Sequence, residues 1–141
     1  MKLRAPLLAG IPNLRMLSLA DIVSDVSLER VALRGLDLSG HSVKSLGLDE
    51  ALLEKVMLVS GKFEKLSLSD ARLEACDLTA AQLTSCSLIR AEVKGCRLTG
   101  TDLSRSTMQD VVFNGCQLDM ANFRGYVQSQ FPEQGAASGQ K

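Results

Sequence analysis

The sequence predicts an all-β solenoid, a chain that turns sharply every five residues and stacks coil upon coil. Three observations predict it. Apolar residues recur at every fifth position from Leu28 to Phe123, twenty in succession. The position two residues earlier, running from Val26 to Ala121, holds no charged residue with His41 counted as neutral, and most of its residues are small. Six of the eleven glycines, at positions 35, 40, 95, 100, 115 and 125, fall two places after the central residue, where a tight turn calls for positive φ.

The chain has 141 residues, the size of one domain. Apolar residues make up 45%, aromatics only 4%, and Leu fills 24 positions, so the core is built mainly from one medium-sized aliphatic. At that apolar frequency an unbroken run of twenty arises by chance roughly once in ten million. A period of five corresponds to about 72° per residue, which fits neither the helix near 100° nor the strand at 180°. A short extended piece followed by a turn does fit. Its leucines are buried only once neighbouring coils stack.

Residues 1–25 keep leucines but lose the register, and Pro6 and Pro12 interrupt any regular element. This segment is expected to cap the N-terminal end of the solenoid. It lacks a small-residue cleavage site, so no signal peptide is expected. Residues 26–125 form the repeat region. From 126 onward the pattern stops, and Tyr126, Val127 and Phe131 are expected to cover the last coil. Residues 133–141 are small and polar, which predicts a disordered tail. The stretch Leu14-Arg15-Met16-Leu17-Ser18-Leu19 has a leucine-rich-repeat flavour, but the longer period and Asn ladder of that fold are missing.

The units Leu36-Asp37-Leu38-Ser39-Gly40, Cys76-Asp77-Leu78-Thr79-Ala80, Thr101-Asp102-Leu103-Ser104-Arg105 and Ala121-Asn122-Phe123-Arg124-Gly125 resemble the A-(D/N)-L-x-x unit of pentapeptide-repeat proteins. The resemblance runs over residues 26–125. It implies a right-handed quadrilateral β-helix of about five coils, four pentapeptides to a coil. At strand spacing of about 4.8 Å such a stack is about 24 Å tall. The expected core includes the stack Leu38, Leu58, Leu78, Leu98 and Leu118, with Phe63, Phe113 and Phe123.

Cys76, Cys96 and Cys116 repeat at twenty residues and are expected to stack on one side, with Cys86 on another. Their spacing supplies no C-x₂-C pair for a metal, and parallel inward side chains disfavour a disulfide. Small buried thiols filling the narrow inward site are the expectation. Four thiols without a signal peptide point to a reducing cytoplasm. His41 is expected to be a buried structural histidine, with no nucleophile or carboxylate in reach to make it a base. P-loop, dinucleotide, H-E-x-x-H and G-x-S-x-G motifs are absent, so no catalytic, cofactor-binding or metal-binding residue is assigned.

Sixteen basic and sixteen acidic residues give a net charge of zero, which excludes a globally basic nucleic-acid binder. No apolar run approaches the roughly 18 residues of a membrane span. Sorted by side, charges at the outward and corner positions sum to −3 around Leu48 and +3 around Phe63, on adjoining sides. Leu52, Met57 and Val59 occupy positions that are polar in most other coils, and are expected to gather at one corner as an interaction patch. Its occupant is expected to be a protein partner, a second copy of the chain, or the N-terminal segment carrying Leu7, Leu8 and Ile11. The resemblance implies a non-catalytic bacterial interaction module. It also implies an alternative, a DNA mimic that binds a type II topoisomerase such as gyrase, against which the neutral charge speaks.

Overall fold

The computed structural model describes residues 14–124, and the backbone of residues 127–130. Strands β1 (Arg15–Met16), β2 (Val26–Arg34), β3 (Ser42–Lys44), β4 (Leu46–Glu54), β5 (Lys62–Glu64), β6 (Ser67–Glu74), β7 (Ser87–Lys94), β8 (Thr107–Asn114) and β9 (Val127–Gln130) are joined by turns and one 3-10 turn at Leu19–Asp21. A seven-stranded parallel sheet runs β1-β2-β4-β6-β7-β8-β9, and β3 pairs with β5. From β2 to β8 the partners are twenty residues apart, as in Leu28↔Leu48, Leu48↔Leu68 and Leu68↔Leu88. Four pentapeptides therefore make one coil, and the chain is a four-sided β-solenoid of about five turns.

The sides are numbered one to four by their first central residues, Leu28, Leu33, Leu38 and Val43. Strands β2, β4, β6, β7 and β8 each span sides one and two. They bend at Arg30, Glu50, Asp70, Arg90 and Asp110, whose φ values lie between 49° and 57°. Sides three and four are held largely by single bridges, Asp37–Met57–Asp77–Arg97–Gln117 and Lys62–Gln82–Asp102–Asn122. At Asp37, Asp77, Asp102 and Asn122 the side-chain oxygen accepts the backbone N–H two residues on, at 2.9–3.0 Å. These local bonds hold the turn at the position the family unit reserves for Asp or Asn.

Inward residues form one continuous core. Of the twenty central positions, eighteen are buried and only Leu28 and Phe123, at the two ends, are half-buried. Thirty-two buried residues pack as one apolar cluster, and a closed void of about 30 Å³ remains among Leu53, Leu58, Leu78, Leu98 and Phe113. Two core expectations need correction. Phe123 and Cys116, in the last coil, are half-buried and pack against that cluster rather than within it. Phe123 meets Phe113 edge-on, with ring centroids 6.0 Å apart.

At the N-terminal end β1 lies over β2 with partners only sixteen residues apart, Arg15↔Val31 and Met16↔Ala32. The 3-10 turn shortens the path, and Ser18 N–H donates to the Asp21 carboxylate at 2.9 Å to hold it. Leu17 and Ile22 then enter the core from above. At the other end the twenty-residue register continues into β9 through Thr107↔Val127 and is broken by a bulge after Met108. The sequence-based expectations for Leu7, Leu8, Ile11, Tyr126, Phe131, the Val127 side chain and the 133–141 tail lie outside the described residues.

Candidate interaction surface

Outward side chains repeat at twenty-residue intervals and so line up in columns at strand spacing. Ion pairs join these columns coil to coil. Arg30–Glu50 at 3.1 Å and Asp70–Arg90 at 2.7 Å run along the corner between sides one and two. Arg34–Glu54 at 2.9 Å and Arg72–Glu92 at 3.4 Å lie on side two, and Lys44–Glu64 at 3.8 Å on side four. Arg90 grips Asp70 with two hydrogen bonds, and that contact, with the further charges of Asp49 and Asp110, holds its guanidinium even more firmly protonated than usual. Each partly exposed pair contributes about 0–1 kcal/mol. Because every pair cancels within its own side or corner, the −3 and +3 sums of sides one and four remain.

Leu52, Met57 and Val59 flank the corner at Lys55 in the second coil. Leu52 is half-buried in β4 between its register partners Ala32 and Arg72. Val59 is half-buried, and its carbonyl accepts the Gly40 N–H at 3.0 Å. Met57, 42% exposed between Asp37 and Asp77, is the most exposed of the three. Among the described residues, the periodicity did not reveal four other exposed large apolar side chains. Met16, Leu19 and Val23 surround the N-terminal end, and Met120 sits on a corner of the last coil at 85% exposure. Met120 was legible as an apolar residue at a turn position; the other three precede the repeat and had no register to place them.

Cys76, Cys96 and Cys116 stack along the corner between sides two and three. Each thiol donates to a carbonyl 23 residues earlier, that of Leu53, Leu73 or Val93. The Cys76 N–H donates to Cys96 Sγ at 3.4 Å. All four cysteines are free thiols, and Cys76, Cys86 and Cys96 are buried. Burial pushes the Cys86 thiol up to about 12. A shallow groove of about 300 Å³ runs past Ala75, Gly95 and Gly115 beside this stack. Among the described residues no three His, Cys, Asp or Glu side chains converge to hold a metal ion. His41 is half-buried rather than buried. It stands in the first coil, above Gly61, where a Cβ would meet the Phe63 ring at 2.7 Å.

A second shallow groove, of about 330 Å³, lies on side four between Ser24, Ser42, Lys44, Lys62 and Glu64. Backbone bonds order this side. Each corner N–H donates to the carbonyl nineteen residues on, as in Lys65 to Thr84 (3.0 Å), Ser85 to Ser104 (3.1 Å) and Arg105 to Arg124 (2.9 Å). Sorting the sequence by twenty could not show this diagonal neighbour. Sorting by nineteen would have.

Residues 47–123 match a family model described as a pentapeptide repeat region. No curated protein matches the chain. Among solved structures, the pentapeptide-repeat protein Rfr23 from the cyanobacterium Cyanothece 51142 is similar at 16% identity. That match covers 70% of this chain and 87% of Rfr23, with a TM-score of 0.31. QnrB1, a plasmid-mediated fluoroquinolone resistance protein, is 11% identical over 78% of this chain and 80% of its own, with a TM-score of 0.35. HetL, involved in heterocyst differentiation regulation in Nostoc sp. strain PCC 7120, is 14% identical over 79% and 91%, with a TM-score of 0.23.

Proposed function

The chain belongs to the pentapeptide-repeat family, and from that premise we propose that it is a non-catalytic interaction module whose partner is another protein. The observation that carries this reading is the coil-to-coil register. Backbone bonds tie each coil to the next from β2 to β8, so outward side chains are held at fixed spacing on flat sides. A surface organised in advance loses little freedom on docking. Met57, flanked by Leu52 and Val59, supplies an apolar contact point on that surface. A mimic of duplex DNA needs phosphate-like negative charge along its length. Here Glu50, Glu54, Asp70 and Glu92 are held in ion pairs and side four is basic, which favours the general module over the mimic. The four free thiols support a reducing, cytoplasmic setting.

The test is affinity capture from the source cell with the intact chain and with Leu52→Lys/Val59→Glu. Capture of a protein by the intact chain and its loss in the variant, at nearly unchanged melting temperature, is the expected outcome. A second copy as the occupant shows up as a dimer that the same variant dissociates in sedimentation. If the variant instead melts lower and exposes residues 1–25 to protease, the corner is a cover site and the contact point is lost. If the intact chain captures nothing and stays monomeric, the module reading fails.

A further inference from the structure

We propose that the edge between sides four and one is a docking edge for an acidic segment of the partner protein, its carboxylates received by Lys65, Arg105 and Arg124. This deepens the module reading and rests on it. The observation is an uncompensated juxtaposition of cations. Arg105 N–H donates to the Arg124 carbonyl at 2.9 Å, so two guanidinium-bearing residues, both exposed, are direct backbone neighbours. Among the described residues neither has an ion-pair partner, and neither has Lys65 two coils above Arg105 on the same edge. Of the other described cations without an ion pair, Lys55, Lys94 and Arg97 each have a carboxylate on a residue with which their own backbone pairs, Glu74 for the first two and Asp77 for the third, whereas Lys62 and Arg15 have none. On this edge that neighbour is Thr84 for Lys65 and a second arginine for Arg105.

Asp102, the acidic residue of the same repeat unit as Arg105, forms no ion pair with either arginine. Asp102 Oδ1 accepts the Ser104 N–H at 3.0 Å and the Asn122 amide at 3.4 Å, holding the turn. Like charges on neighbouring residues favour an anion between them, and two guanidinium forks match carboxylates in geometry. Ser85 and Ser104, whose backbones pair at 3.1 Å, bring two further hydroxyl-bearing residues to the same edge. A peptide is favoured over nucleic acid by the neighbouring side. Side one, with its net charge of −3, repels a polyanion broad enough to lap round the corner, whereas a single extended strand needs only the edge.

The probe is a fluorescein-labelled peptide of about ten residues alternating Glu and Ala, titrated with the full chain and read by anisotropy at low and high salt. Saturable binding that weakens with salt is expected. Arg105→Ala/Arg124→Ala should weaken it at least about tenfold, while Lys94→Ala changes it less than about twofold. Circular dichroism melts of each variant establish that the fold is intact, and Arg105→Lys/Arg124→Lys, which keeps charge but not the fork, should restore binding only in part. Absence of saturable binding, equal loss in Lys94→Ala, or tighter binding of a single-stranded oligonucleotide of equal charge overturns the proposal. Such a failure removes the acidic ligand class and leaves the module reading standing. Failure of partner capture, by contrast, sinks the module reading whatever the peptide does.

Discussion

Fifteen residues other than glycine occupy the left-handed region at the corners, from Asp25 to Met120, with φ between 49° and 62°. Glycine holds five more of these corners, at 35, 40, 95, 100 and 115. A side chain there costs roughly 1–2 kcal/mol. The strain persists because corners are bonded to the next coil; the Ala80 N–H, for example, donates to the Thr99 carbonyl at 2.9 Å. Ala80→Gly should therefore raise stability by about 0.5–1 kcal/mol, despite glycine's larger entropy when unfolded. Urea denaturation measures it, and a loss of stability would contradict strain at that corner. Six glycines two places after the central residue were enough to predict a turn there. That the other corners share its geometry was not legible, since Arg, Glu and Ser announce no positive φ.

At the scale of the element, the cysteine ladder separates inward position from burial. Cys76 and Cys96 are covered by the coil on each side, whereas Cys116 in the last coil is half-buried. Thiol titration of the native protein should label Cys116 first, leave Cys76, Cys86 and Cys96 slow, and reach four equivalents only in denaturant. Burial, which keeps the Cys86 thiol protonated, adds to its slowness because the thiolate is the reactive form. Rapid native labelling of Cys96 would refute the inward orientation of the ladder. The sequence predicted all four thiols buried because the twenty-residue period places them alike; the period carries no information about which coil is the last. The strands show the same division. Central and inward positions were readable, but the period of five treats all four sides equally and could not say that sides one and two form continuous strands.

At the scale of the whole molecule, one apolar cluster runs from Leu17 to Leu118, so damage at its middle is shared by coils on both sides. Leu78 lies there, 3% exposed, and already lines the closed void. Leu78→Ala enlarges a space its neighbours cannot fill and should cost about 2–5 kcal/mol, and Leu78→Asp more. Circular dichroism melts check both, and unchanged melting in both would sink the solenoid register. The sequence by itself determined the solenoid class, the turn every five residues and the inward residues, while four pentapeptides to a coil came from the family resemblance. A repeated unit states its own contacts twenty times, and each inward residue meets only equivalents one coil away. The tertiary structure alone decided how the ends close, through β1 and the Leu17 and Ile22 plug, because those residues have no repeat to define their neighbours. It alone decided which surface charges cancel and which do not. Pairing depends on the corner geometry that sets Arg105 against Arg124, nineteen residues apart, while Asp70 meets Arg90 at twenty.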